Sequence, residues 1–445
     1  MRTKVVLLGI GLIWLLLPCA ARGGIAEAEF AQRRALLAAA ADSASAFIFR
    51  AADTRTRSGD VTYPYRQESN LFYLTGISDP GITLLIVPRG VSIDGRLQTY
   101  LLFAPASMRD QAGPGFFSGG AVLNADRLTE TLRSVGAQVK TLYASMPDIG
   151  FVNDWLNDRR LFLEQDARQE FQQHFPGVKI RNAGPLVARF RECKSAGELD
   201  LMRTAIRLTG DGIRHAMQVC RPGAAEYELQ GAIEYEMTRQ GARAVSFPSI
   251  VGSGPNSLVL HYDTNTRNMR GGEVVVIDVG AEFDGYAADI TRTLPVSGAF
   301  TKEQREVYTQ VLRAQEEVIR MIRPGVRWVA LEAKAREVLA AGGFGGRMPH
   351  GVSHHLGIDA HDAGTHDTLK AGMVITVEPG IYIPPTDTAF AAGYRGFGIR
   401  IEDDVLVGEK GPVVLSADIP KDLKTIESMM RHVATSTNNH QRRKP

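Results

Sequence analysis

Four acidic side chains in this sequence stand where acids are costly. Asp278 ends the apolar run Val274-Val-Val-Ile277, which reads as a strand buried on both faces. A lone carboxylate there loses several kcal/mol of hydration or stays protonated. Asp289 follows eleven residues later, after Asp284-Gly-Tyr-Ala-Ala, which reads as a tight turn into a second strand. A hairpin of that length brings both aspartates to one point. Glu378 repeats the pattern at the end of Val374-Ile-Thr-Val377, and Glu402 sits in the short apolar segment Gly398-Ile-Arg-Ile-Glu402. Each acid alone reads as an ordinary turn or cap residue. Four together on interior strands repel one another unless cations neutralise them. Two divalent ions cancel the four charges and share bridging oxygens, with the ions ~3.5–4 Å apart.

Imidazoles lie near these acids in sequence. Five of the ten histidines fall between His350 and His366, in His350-Gly-Val-Ser-His354-His355 and on through His361. A metal takes neutral imidazole, so one of them is a ligand candidate and the others are placed to handle protons. His261 follows the glycine-rich Gly252-Ser-Gly-Pro-Asn256, where a single histidine is ordinarily a surface residue. Carboxylate-rich ligation with one imidazole favours manganese, with cobalt, iron or zinc as alternatives. It disfavours a closed structural zinc site, which is rich in Cys and His.

The elements that must position these groups carry their own signals. Ser195 and Glu198 form a capping box opening a helix over 195–220, with Leu199, Met202, Ile206, Ile213 and Met217 on one face. Arg221-Pro-Gly223 stops it, and a second helix runs from about Ala225 to Gly241. Thr301 and Gln304 open the same arrangement again, with Arg323-Pro-Gly325 as the stop and a further helix to about Gly342. The two stops lie about 100 residues apart, as do the acid-terminated strands at Asp278 and Glu378. A shared offset of helix stops and acidic strand ends implies an internal duplication whose halves meet at the acids.

Upstream, residues 27–185 read as a separate α/β domain. It has a helix over Phe30–Ala41, short strands at Phe72–Leu74, Thr83–Val87 and Tyr100–Phe103, and helical patches at Leu128–Val135 and Phe151–Leu156. It has no cluster of His, Cys and carboxylates, which leaves it a structural or substrate-shaping role. Asn182-Ala-Gly-Pro185 is the expected hinge into a second domain over 190–430, and the basic stretch 431–445 reads as a loose tail.

The first residues form a positive start at Arg2 and Lys4, then an apolar run from Val5 to Leu17, then Pro18 and small residues. That is the layout of an export signal over 1–24, placing the mature protein in a periplasmic or extracellular compartment. The run of about 13 apolar residues is short of the ~20 a spanning helix needs, which disfavours the alternative of an N-terminal anchor. Pro18 makes Cys19 a poor lipid attachment site. Cys193 and Cys220 flank the 195–220 helix, which would separate them by roughly 40 Å, so two free thiols are expected. With 445 residues, 44% hydrophobic and 22% charged, the chain has the composition of a soluble two-domain protein. A net charge of +2 gives no case for nucleic acid or a membrane surface as partner.

Several segments together resemble the bacterial Xaa-Pro aminopeptidase (aminopeptidase P) family. They are Ile250-Val-Gly-Ser-Gly254, His261-Tyr262, Ile277-Asp278-Val-Gly280, Asp289-Ile-Thr-Arg-Thr293, His350-Gly-Val-Ser-His354, Glu378-Pro-Gly380 and Tyr394-Arg-Gly-Phe-Gly-Ile-Arg400-Ile-Glu402-Asp-Asp404. The resemblance spans about 190–425, and Tyr65-Arg-Gln-Glu-Ser-Asn-Leu-Phe-Tyr-Leu-Thr-Gly76 is similar to that family's first domain. It implies an N-terminal α/β domain before a pseudo-two-fold catalytic domain of the pita-bread fold. It also implies two divalent metals held by Asp278, Asp289, His354, Glu378 and Glu402, with Asp289 and Glu402 bridging. The metals would supply a hydroxide and polarise the carbonyl before proline, and Glu378 would take the water's proton. His361 would stabilise the oxyanion, His261 and His350 would contact substrate, and Arg400 would orient carboxylates from behind. The implied substrates are peptides with proline at the second position, and the implied assembly is a dimer or tetramer. Prolidases share the ligands but act on dipeptides, and are the alternative. A non-catalytic peptide-binding relative would be expected to have lost ligands.

Overall fold

The computed structural model describes residues 21–22, 24–111, 115–146, 152–154, 159–161 and 163–431. The apolar run of the expected export signal and the basic tail beyond Arg431 lie outside the described residues. The chain divides into two compact units, 1–142 and 143–445. Among the described residues no helix is long and apolar enough to cross a membrane.

In the first unit, α1 (Glu27–Ala39) precedes β1 (Ser45–Arg50), α2 (Ser69–Thr75), β2 (Thr83–Ile93), β3 (Arg96–Ala104) and β4 (Ala121–Asn124). The strands run β1-β2-β3-β4 across the sheet, the last pair parallel and the others antiparallel. The strand expected at Phe72–Leu74 is part of α2. Glu68 caps the Leu71 amide at 2.7 Å, and Gly76, at φ 65, closes the other end by donating to the Phe72 carbonyl. Three apolar residues carry no periodicity, so these caps decide the conformation. The helical patch expected at Phe151–Leu156 is likewise corrected. Val152–Asp154 is a strand paired antiparallel with Arg159–Leu161, and Phe151, Trp155 and Leu156 lie outside the described residues.

The second unit carries the duplication. Helices α3 (Gly184–Arg191), α4 (Ala196–Val219) and α5 (Glu226–Arg239) lead to β5 (Ile250–Ser253), β6 (Val274–Val279) and β7 (Ile290–Pro295). Helices α6 (Lys302–Met321) and α7 (Trp328–Ala341) then lead to β8 (Val374–Val377), β9 (Gly380–Ile383), β10 (Phe397–Arg400), β11 (Asp403–Gly408) and β12 (Gly411–Val414). Both expected capping boxes form, Ser195 with Glu198 and Thr301 with Gln304. The two Arg-Pro-Gly stops are built alike. Gly223 (φ 86) donates to the Met269 carbonyl at 2.8 Å, and Gly325 (φ 90) to Leu369 at 2.9 Å. Glu226 then pairs with Arg267, and Trp328 with Asp367, each at 2.9 Å. Each half thus ties the start of its second helix to the loop before its first acidic strand.

One core runs through both halves, from Ile206 and Met217 on α4, through Val275 and Ile277, to Val311, Ile375 and Ile399. Cys193 and Cys220 are free, as their spacing required.

Candidate metal centre

Strand register brings the acids together. Antiparallel β6 pairs Asp278 with Ile250 on one side and Thr291 on the other, so Asp278 stands beside the start of β7, where Asp289 enters. Between them the chain reverses at Asp284 and Gly285, both with positive φ, as a two-residue hairpin turn of type I′ requires. In the other half, β8 pairs Val377 with Asp403, and β9 pairs Gly380 with Arg400. Glu378 and Glu402 therefore leave facing strand ends. The halves are stitched at this point, because the Glu402 amide donates to the Thr291 carbonyl at 3.1 Å. Buried Arg292 fixes the same turn by donating to the Glu402 carbonyl at 2.5 Å and the Asp403 carboxylate at 2.8 Å.

His354 arrives on a segment laid against β8. Its amide donates to Thr376 Oγ1 at 3.1 Å, and the Thr376 amide donates back to its carbonyl at 2.9 Å. The ring is oriented by Nδ1, 3.0 Å from the His355 carbonyl, so Nδ1 carries the proton and Nε2 presents a lone pair. That Nε2 lies 3.5 Å from Asp289 Oδ2 and 3.5 Å from Glu378 Oε1. These separations are long for hydrogen bonds and suit donors arranged around a common cation. One ligand atom from each of Asp289, His354 and Glu402 lies within 4.8 Å of the others.

The electrostatics fit such a cation. Burial, reinforced by neighbouring acids, pushes the carboxyls of Asp289 and Glu402 well above their ordinary range. Burial also pushes Glu378 up to about 8, with Asp278 and Glu332 adding to it and Arg400 opposing. Burial drives His350 and His354 down to about 4, and lowers His361. Asp278 Oδ1 is buried without a hydrogen-bond partner, while its Oδ2 accepts from Arg400 at 2.6 Å. An orphaned buried carboxylate oxygen on a residue lining the same cavity is what a hard divalent ion satisfies. The residues therefore fit divalent metal.

A cavity of about 660 Å³ opens above these groups. All five expected ligands line it, together with His261, His350, His361 and Arg400, and with Phe247, Pro248 and Leu260 as an apolar wall. The His361 ring stacks on that of His354, with centroids 4.0 Å apart and planes within 9°. Both nitrogens of His350 are engaged, Nδ1 with the Gly351 carbonyl at 2.8 Å and Nε2 with the Tyr382 hydroxyl at 2.9 Å.

The chain matches the model of metallopeptidase family M24 over residues 200–409, and that of the aminopeptidase P N-terminal domain over residues 30–112. It is 34% identical over 436 residues to the Xaa-Pro aminopeptidase of Escherichia coli (strain K12), covering 91% of this chain and 98% of that one. This chain belongs to the Xaa-Pro aminopeptidase family.

Solved structures agree in fold. Aminopeptidase P from E. coli with the inhibitor Pro-Leu superposes with a TM-score of 0.80 at 33% identity, covering 92% of this chain and 99% of that one. Pseudomonas aeruginosa aminopeptidase PepP gives 0.82 at 30% identity over the same shares. The segment matched to the metallopeptidase family contains every donor in the cavity floor.

Three members of this site were not singled out from the sequence. Thr291 donates to Glu402 Oε2 at 2.7 Å and accepts from Arg400 Nε at 3.3 Å. Tyr382 takes Arg400 Nη1 at 2.8 Å and hands its own proton toward His350. Asp404 accepts the Asp289 amide at 3.3 Å. Strand alternation held a signal for the first, since Thr291 is two residues from Asp289. Nothing local marks Tyr382 or Asp404, because their side-chain partners lie 18 to 115 positions away.

Proposed function

We propose that this protein is a dinuclear-metal aminopeptidase that releases the first residue from peptides with proline in the second position. The observation that carries the reading is the convergence of four carboxylates and one imidazole lone pair on the floor of a single cavity. Family membership supports the substrate class. Asp278, Asp289, His354, Glu378 and Glu402 would hold two divalent ions. The oxygen-rich donor set favours manganese. Once bound, the ions supply Lewis acidity and a hydroxide source at neutral pH.

The chain's own groups do the rest. Glu378 takes the proton of the attacking water and returns it to the leaving prolyl nitrogen. His361, at the cavity edge above His354, donates to the developing oxyanion. His261 and His350 contact substrate around the scissile bond. Arg400 holds Asp278 through Nη2 and Tyr382 through Nη1, which fixes the aspartate for its metal.

The test uses residues 25–445, stripped of metal and reloaded with Mn²⁺. Metal-dependent release of the first residue from a Xaa-Pro-Yaa tripeptide, with little cleavage of a Xaa-Pro dipeptide, is the expected result. Cleavage of the dipeptide alone would make the protein a prolidase, and cleavage of neither would sink the peptidase reading.

We further propose domains over 27–185 and 190–430 with a basic tail at 431–445, and the two family segments fall within those domains. We propose export through a signal over 1–24, supported by the charged start and apolar run, which N-terminal sequencing of the mature protein would test. A dimer or tetramer is the proposed assembly, on family resemblance.

A further inference from the structure

His361 sits on a stretch, 356–366, that has neither helix nor strand. Backbone bonds hold its neighbours, among them the Asp362 amide donating to the His355 carbonyl at 2.9 Å, and side chains add to the hold on its pose over His354. The next residue supplies the hold. Asp362 is buried, at 8% exposure, while His361 faces the cavity. Asp362 Oδ2 takes Lys194 Nζ at 3.0 Å, and its Oδ1 takes the guanidinium of Arg191. Arg191 also reaches Asp359 Oδ2 at 2.7 Å.

The far arm of the loop is gripped from the same place. Glu192 Oε2 accepts from the Thr365 amide at 3.0 Å and its hydroxyl at 2.7 Å. The packing leaves no slack. A Cβ on Gly357 would stand 2.2 Å from Asp362 Oδ2 and 2.9 Å from Lys194 Cε. The loop is also anchored to the first half of the site, since the Ala287 amide donates to the Gly357 carbonyl at 2.8 Å.

Burial alone would raise the Asp362 carboxyl, but the charges of Lys194 and Arg191 hold it below the ordinary carboxylate range. Two cations thus face the buried Asp362 and the partly buried Asp359. A buried ion cluster adds little net stability over an apolar contact of the same volume. What it adds is direction, because the planar Arg191 guanidinium spans Asp359 and Asp362 in a fixed geometry while Lys194 holds the other Asp362 oxygen.

We propose that Arg191 and Lys194 are positioning residues for the reaction: acting through Asp362, they fix His361 where its ring meets the oxyanion. The proposal rests on the reading of His361 as oxyanion donor. Displacement of a reacting group by 1 Å costs up to about 10²-fold in rate.

The experiment is a double-mutant cycle in the metal-loaded enzyme, with Lys194→Met and His361→Ala made singly and together, and Lys194→Arg as the conservative control. Lys194→Met is expected to lower kcat about 10- to 100-fold with KM and bound metal unchanged, while Lys194→Arg keeps most of the rate. In the His361→Ala background the same substitution should cost less than about twofold, because its target is gone. An equal loss in both backgrounds would mean general damage and overturn the proposal, as would an unchanged kcat. If His361→Ala itself leaves kcat intact, the oxyanion reading fails, and the positioning role with it. Gly357→Ala gives a second route that keeps every charge. Its Cβ displaces Asp362, and the same loss of kcat at constant metal content is expected. A wild-type rate there, with the variant folded, would count against the proposal.

Discussion

Stripping the metal should make this protein's stability fall as pH rises, and the structure sets the window. Glu378 is pushed up to about 8 when no cation faces it. A carboxyl whose folded value lies above its unfolded value favours the fold while protonated, and that contribution is lost as pH rises through the folded value. Asp289, Glu402 and Asp404 are shifted in the same direction by burial first, so they add to the slope. The histidines act oppositely at lower pH. His350, His354 and His355, held down to about 4, favour the unfolded chain only below its own imidazole value near 6.5. Above pH 6.5 that opposing contribution fades within about one pH unit, and from about pH 7.5 the acids act alone. From pH 6.5 to 8, Glu378 by itself loses about 1.6 kcal/mol, which is roughly 3–6 °C in Tm for a domain of this size.

With Mn²⁺ present the same carboxylates are charged and satisfied, so the slope should vanish or reverse. The assay is thermal unfolding at pH 6.5, 7.5 and 8.5, in chelator and in excess Mn²⁺. A metal-free Tm that stays level across that window, or falls equally in both series, would refute the idea that these acids are buried for a cation.

Other substitutions probe single contacts. Asp289→Ala removes one of the proposed metal donors; metal analysis should show lost occupancy and turnover should be nearly abolished, whereas full metal with near wild-type activity would sink the two-metal reading. His361→Ala should keep its metal and lose ~10²–10³ in kcat, which parallel metal analysis and steady-state kinetics check. Thr291→Val removes the hydroxyl that orients Glu402 and should weaken metal binding about 10- to 100-fold, measured by calorimetric titration.

The chemistry was legible in the sequence because it violates the ordinary pattern of burial. An acid at the end of a four-residue strand pattern of largely apolar residues cannot be explained by propensity, and Asp278 and Glu378 both stand there. The duplication was legible for a related reason. A capping box and an Arg-Pro-Gly stop are local devices, and the structure builds both copies with the same backbone hydrogen bonds. Short elements in the first unit were less so. Phe72–Leu74 reads equally as strand or helix until Glu68 and Gly76 cap it.

What the sequence by itself offered was thus the inventory: the candidate acids, a group of candidate histidines, and two related halves to supply them. Tertiary structure alone decided their orientation. Whether His354 offers Nε2 depends on a carbonyl at His355, whether Glu402 faces the cavity depends on Thr291, and whether His361 overhangs the site depends on Arg191 and Lys194. Residue type and spacing specify the groups, because periodicity and capping act over a few positions. Hydrogen bonds spanning over a hundred positions aim them, and those form only once strands from both halves have paired.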